Sequence, residues 1–210
     1  MRARALGWVA GAALAMGLAG AAAGGELVLT RDGKSDYQIV TPDAAATPEV
    51  KAALAQVARL AQAAFKLGGQ CDVAVVAEAQ RDAAKPGIFL GDTAFARKQG
   101  VDVSKLEGWG YVMKAVSRDL IVAGRDHAAP GEPASSRRRN WDRIGTAKGV
   151  ADFLRQFVGT RFLYPDIEAW LTLQDAAKVD FAASPAFEFL PSPTVSVPAD
   201  LNVTKTPFLT

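Results

Sequence analysis

An α/β sandwich, in which a mixed β-sheet is covered on one face by two main helices, is the fold class the sequence predicts. Three observations predict it. Short β-rich runs alternate with two longer segments of helical periodicity, in the order strand pair, helix, strands, helix, strands. Each helical segment carries one apolar stripe, and so one face to bury. Glycine, proline and Asp-Gly signals bound the strand runs at short spacing, and no internal repeat or heptad interrupts the pattern.

The first segment stands outside the fold. Residues 1–23 contain Arg2 and Arg4, an apolar run from Ala5 to Leu18, and the small residues Ala21, Ala22 and Ala23. That is the charged, apolar and A-x-A sequence of a secretory signal, with cleavage expected after Ala23. The run is short for a membrane span and broken by Gly7, Gly11 and Gly17. The expected location is therefore periplasmic or extracellular, with no stable membrane span after cleavage. Loss of Arg2 and Arg4 leaves 22 of the 24 Lys+Arg against 22 Asp+Glu, a formally neutral chain. Net charge thus gives no support to a nucleic-acid partner. The one cysteine, Cys71, forbids an intrachain disulfide, so the core must supply the stability; Cys71 itself reads as a small buried residue.

In order along the chain, Leu27–Thr30 and Tyr37–Val40 read as a hairpin around Asp32-Gly33. Thr47 caps a helix with Pro48 at its first position. That helix runs to Leu67, with Val50, Leu54, Val57, Ala58, Ala61 and Phe65 on one face, and Gly68-Gly69 ends it. Asp72–Glu78 and the "GIFL" run from Gly87 are short apolar strands. Asp92 or Thr93 caps a short helix over 94–99. Tyr111–Val116 and Leu120–Ala123 form a second hairpin. Arg125 to Arg143 is a long polar segment, of the length that is usually functional or disordered. In "IGTAKGVADFLRQFVGTRFLYP" (144–165), Thr146 caps a helix, Gly149 lets it lie close to the sheet, and Gly159 turns the chain into a strand. Shorter strands follow at 169–174 and 178–181. The compact domain is expected over 24–184. Residues 185–210, with five prolines, read as a proline-rich linker or truncated tail.

Few residues offer chemistry. His127 and Cys71 stand alone as soft metal ligands, and no D-x-D-x-D-G loop is present, so neither a metal nor a cofactor is expected. No G-x-S-x-G elbow surrounds any serine. The Gly145-Thr146-Ala147-Lys148-Gly149 turn lacks the spacing of a phosphate loop and does not follow a strand, which favours its architectural role. No spacing selects a pair of carboxylates, so no catalytic residue is assigned. Arg125, Asp126 and His127 fall at a strand end, where α/β proteins bind ligands. With Arg143 they are the candidate ligand or interdomain loop, against the plainer reading of a solvated loop. Trp109, Trp141 and Trp170 are the candidate aromatic platform if the chain binds glycans.

The segments "YQIVTPDAA", "GIFLGDTAFAR", "GWGYVMKAVSRDLIVAGRDH" and "IGTAKGVADFLRQFVGTRFLYPD", with the long helix between the first two, resemble a known module. It is the small α/β domain that precedes the barrel in α-glucuronidases of glycoside hydrolase family 67 and β-N-acetylhexosaminidases of family 20. It also fronts large secreted bacterial proteins. The resemblance covers about Glu26 to Gln174. It implies a β-hexosaminidase-like N-terminal domain whose catalytic carboxylates lie in the barrel that follows, so none is carried over to this sequence. The expected function is a non-catalytic accessory domain of an exported carbohydrate-active protein, here without its barrel, with a catalytic domain or a glycan as partner. The alternatives are a stand-alone periplasmic glycan-binding protein and a small hydrolase acting on sugars.

Overall fold

The computed structural model describes residues 25–45, 47–108, 110–126, 144–163, 180–184 and 186–206. Its strands are β1 (Glu26–Thr30), β2 (Gln38–Thr41), β3 (Ala74–Ala77), β4 (Gly87–Leu90), β5 (Tyr111–Val116), β6 (Asp119–Gly124), β7 (Thr160–Phe162), β8 (Phe187–Phe189), β9 (Val195–Pro198) and β10 (Asn202–Lys205). The helices are α1 (Pro48–Leu67), α2 (Ala94–Lys98) and α3 (Gly145–Phe153), the last continuing as a π-helical turn over Leu154–Val158. Six strands form the main sheet in the order β10-β5-β6-β4-β2-β3. Strands β3, β2, β4 and β6 run parallel, and β5 is antiparallel to both its neighbours, β6 and β10. The architecture is therefore mixed α/β, with a mixed sheet and few helices.

Strand alternation sorts the core onto two faces. Ile39, Ile88, Leu90, Leu120 and Val122 point to the side where α1 and α3 lie, and pack with Val57, Phe65, Val150 and Phe153. Val40, Phe89, Ile121 and Ala123 point the other way, onto Ala96 of α2 and Val101. The two main helices do share one face. The opposite face is covered as well, by a thinner layer of α2 and the turn after it.

Helix α1 forms where its pattern places it. The Thr47 hydroxyl accepts from the Val50 amide at 3.3 Å, Pro48 occupies the first turn, and the predicted stripe is buried along its length. Cys71 is buried and free; burial, with the Asp72 charge beside it, raises its thiol above the ordinary value. The β5–β6 hairpin also forms, in register from Tyr111↔Gly124 to Val116↔Asp119.

Two expectations are corrected. The Asp32-Gly33 turn is present, with both residues at positive φ and mutual Arg31–Lys34 backbone bonds. The hairpin stops there, however. Strand β1 pairs antiparallel with β9, while β2 enters the middle of the main sheet between β3 and β4. Burial decides this. β2 is buried on both faces over Gln38–Val40, as inner parallel strands are, whereas β1 buries mainly Leu27, Leu29 and Thr30.

The second correction concerns the tail. Over 186–206 it is no linker: β8 pairs with β7, β9 with β1, and β10 with β5. Phe187, Val195, Val197 and Leu201 belong to the main core. Pro191 and Pro193 lie between strands and Pro198 ends β9, positions where a missing amide costs no ladder bond. The strands expected at 169–174 and 178–181 lie outside the described residues, except Asp180 and Phe181, which open a turn.

Asp152 of α3 fastens this tail. Its carboxylate accepts from the Tyr111 hydroxyl, Lys205 Nζ and the Arg155 guanidinium, each at 2.6 Å. Burial opposes its charge, but bonds from Lys205, Tyr111, Gln156 and Arg155 outweigh that and hold the carboxyl well below the usual carboxylate range. Its contribution to stability is therefore present above the ordinary carboxylate value and is lost as pH falls below it.

The pairing of β1 with β9 makes the two ends of the domain interdependent. A chain ending at Ser184 is expected to lose the cooperative thermal transition that the full chain shows by circular dichroism. A truncated chain that melts like the full one would make the tail dispensable.

Candidate functional site

Parallel strands β2, β3, β4 and β6 deliver their carboxyl ends to one edge of the sheet, where sheets of this kind usually hold ligands. Four acidic side chains follow those ends: Asp43, Glu78, Asp92 and Asp126.

Asp126 follows β6 and forms an isolated bridge with Ile144. One carboxylate oxygen accepts from the Thr146 amide at 2.9 Å, and the other from the Thr146 hydroxyl at 2.6 Å. That hydroxyl in turn accepts from the Gly124 amide at 2.9 Å. Ile144 occupies the N-cap position of α3 and has no capping side chain. Thr146, expected as the cap, is therefore the linker between strand and helix. The cap comes from Asp126, 20 residues away in the chain.

The contact is close because glycine permits it. A Cβ at Gly124 would collide with the backbone of Gly145 and Thr146. One at Gly149 would sit 3.0 Å from Val122 Cγ1 and 3.1 Å from the Tyr111 ring. The glycine-rich turn thus serves the approach of α3 to the sheet; the Thr146 amide has an anionic partner in Asp126, and the Gly145 amide donates to the Arg125 carbonyl. At the far end Gly159, at φ 81°, closes the helical segment as expected.

The other edge carboxylates are used in the same way. Glu78 accepts from the Ala94 and Phe95 amides at 2.7 Å each, at the start of α2, where Thr93 also accepts from Ala96. Asp43 accepts from the Ala79 amide at 2.9 Å. Asp92 forms a 3.0 Å ion pair with Arg97, half exposed and so of small energetic weight. Sequence reasoning missed Glu78 and Asp43, because each caps a turn that is distant in the chain and no local motif marks it.

Arg125 is exposed, and it bonds the protein's own backbone. Its guanidinium donates to the Leu106 carbonyl at 3.0 Å, while its amide and carbonyl bond Gly110 and Gly145. Of the candidate loop, the structure thus brings Arg125 and Asp126 together in the joint between β6 and α3. His127 and Arg143 lie outside the described residues, as do Trp109, Trp141 and Trp170. Among the described residues no three His, Cys, Asp or Glu side chains gather as metal ligands, and no helix is long and apolar enough to cross a membrane.

No family model matches the sequence, and no curated protein matches it. Among solved structures, the chain is similar to a family GH115 4-O-methyl-alpha-glucuronidase with specificity for decorated arabinogalactans. The identity is 13% and the TM-score 0.49, over 86% of this chain and 18% of that one. The chain therefore spans less than a fifth of that enzyme's length, and a likeness of this degree decides neither activity nor substrate.

Asp126 gives a pH dependence with a definite sign. Burial raises its carboxyl from the ordinary 3.8 to about 6 against the opposing Thr146 bonds, and the Asp92 charge adds to the rise. Its contribution to stability is then full below 3.8 and fades as pH rises through about 6. Denaturant midpoints should be higher at about pH 5 than at about pH 7.5, and Asp126→Asn should remove this part of the difference. Asp126→Ala should cost about 1–2 kcal/mol at about pH 7.5 through loss of the cap, and more at about pH 5, where the carboxyl contributes more. Identical pH profiles for the wild type and Asp126→Asn would contradict the assignment. The glycine contact has its own test: Gly124→Ala should destabilise by about 3 kcal/mol in urea titrations, because backbone rather than a mobile side chain blocks the new methyl.

Proposed function

We propose that this chain is a non-catalytic accessory domain of an exported carbohydrate-active protein. The observation that carries the reading is the engagement of the acidic side chains at the carboxyl edge of the sheet. Asp43, Glu78 and Asp126 each accept a backbone amide of a following turn or helix, and Asp92 pairs with Arg97. A glycosidase needs two carboxylates facing each other across a sugar, one of them free to exchange a proton with it. Acids bound to the protein's own amides stabilise the fold at that position.

Two features of the sequence support the carbohydrate setting. The ordered segments from Glu26 to Gln174 resemble the domain that precedes the barrel in family 67 and family 20 glycoside hydrolases, where catalysis belongs to the barrel. The first 23 residues have the pattern of a secretory signal, which supports export. In this reading the domain packs against a catalytic domain, or helps to place a glycan before it.

The test is turnover. The purified chain, incubated with 4-nitrophenyl glucuronide and 4-nitrophenyl N-acetylglucosaminide, should release no more nitrophenol than buffer does. Release that disappears on substitution of a single carboxylate would falsify the non-catalytic reading and favour a small hydrolase. The accessory reading also expects substitutions at Asp43, Glu78 and Asp126 to lower the melting temperature without creating or removing any turnover.

A further inference from the structure

We draw no further inference here: the strongest candidate, the open cavity of about 400 Å³ between the C-terminal half of α1 and the turn at Asp180–Ala182, is lined by side chains that already engage one another, Lys66 with Asp72 and Arg59 with the Phe181 ring, and nothing in the structure shows what would occupy it.

Discussion

The joint between β6 and α3 is the constraint on which the rest of the domain depends. Gly124 and Gly145 let strand and helix backbones meet without intervening side chains, and Thr146 bridges Asp126 to the Gly124 amide. This sets how α3 lies across β5 and β6. With α3 in place, Val150, Phe153 and Leu154 reach the core they share with α1. Asp152 also comes within reach of Tyr111 and Lys205. The edge strand β10 is thus held by its ladder with β5 and by a carboxylate whose position is set on the other side of the helix. A displacement of the joint by one side chain would be felt in α3, in the shared core and in the tail.

The same joint bears on function. An exposed helix N-terminus at the carboxyl edge of a parallel sheet attracts anions, because its amides lack partners and its dipole is positive there. Here the partners are internal. Asp126 serves α3, Glu78 serves α2, and Asp43 serves the turn after β3. Each cap also ties one strand end to a different element, so the edge that elsewhere binds ligands is used to hold loops to the sheet.

Much of the fold is legible locally. Thr47-Pro48, the stripe from Val50 to Phe65, a cap at Asp92 or Thr93 and the β5–β6 hairpin each rest on residues within a few positions of one another; each forms where the sequence places it, with Thr93 taking the cap. Gly149 is legible as a close-packing residue, since a glycine costs stability inside a helix and is kept there mainly where a neighbour leaves no room for a side chain. The candidate site is less legible. Asp126 stands out for its place at a strand end, yet its partner is Thr146, across a long intervening segment. Nothing local distinguishes a ligand-binding carboxylate from a capping one. Prolines between 185 and 198 exclude a helix, but they do not exclude the short strands between them.

By itself the sequence determined the class of the domain, the extent of α1 and the glycine that closes the α3 segment. These follow from hard local limits: allowed backbone angles, amides that need acceptors, and the period of each element. Only the tertiary structure decided that β1 pairs with β9 rather than β2, that the tail completes the sheet, and that distant carboxylates cap the helices. Each of these is a choice among partners that look alike locally, and burial and hydrogen-bond satisfaction settle it only when the whole chain is assembled.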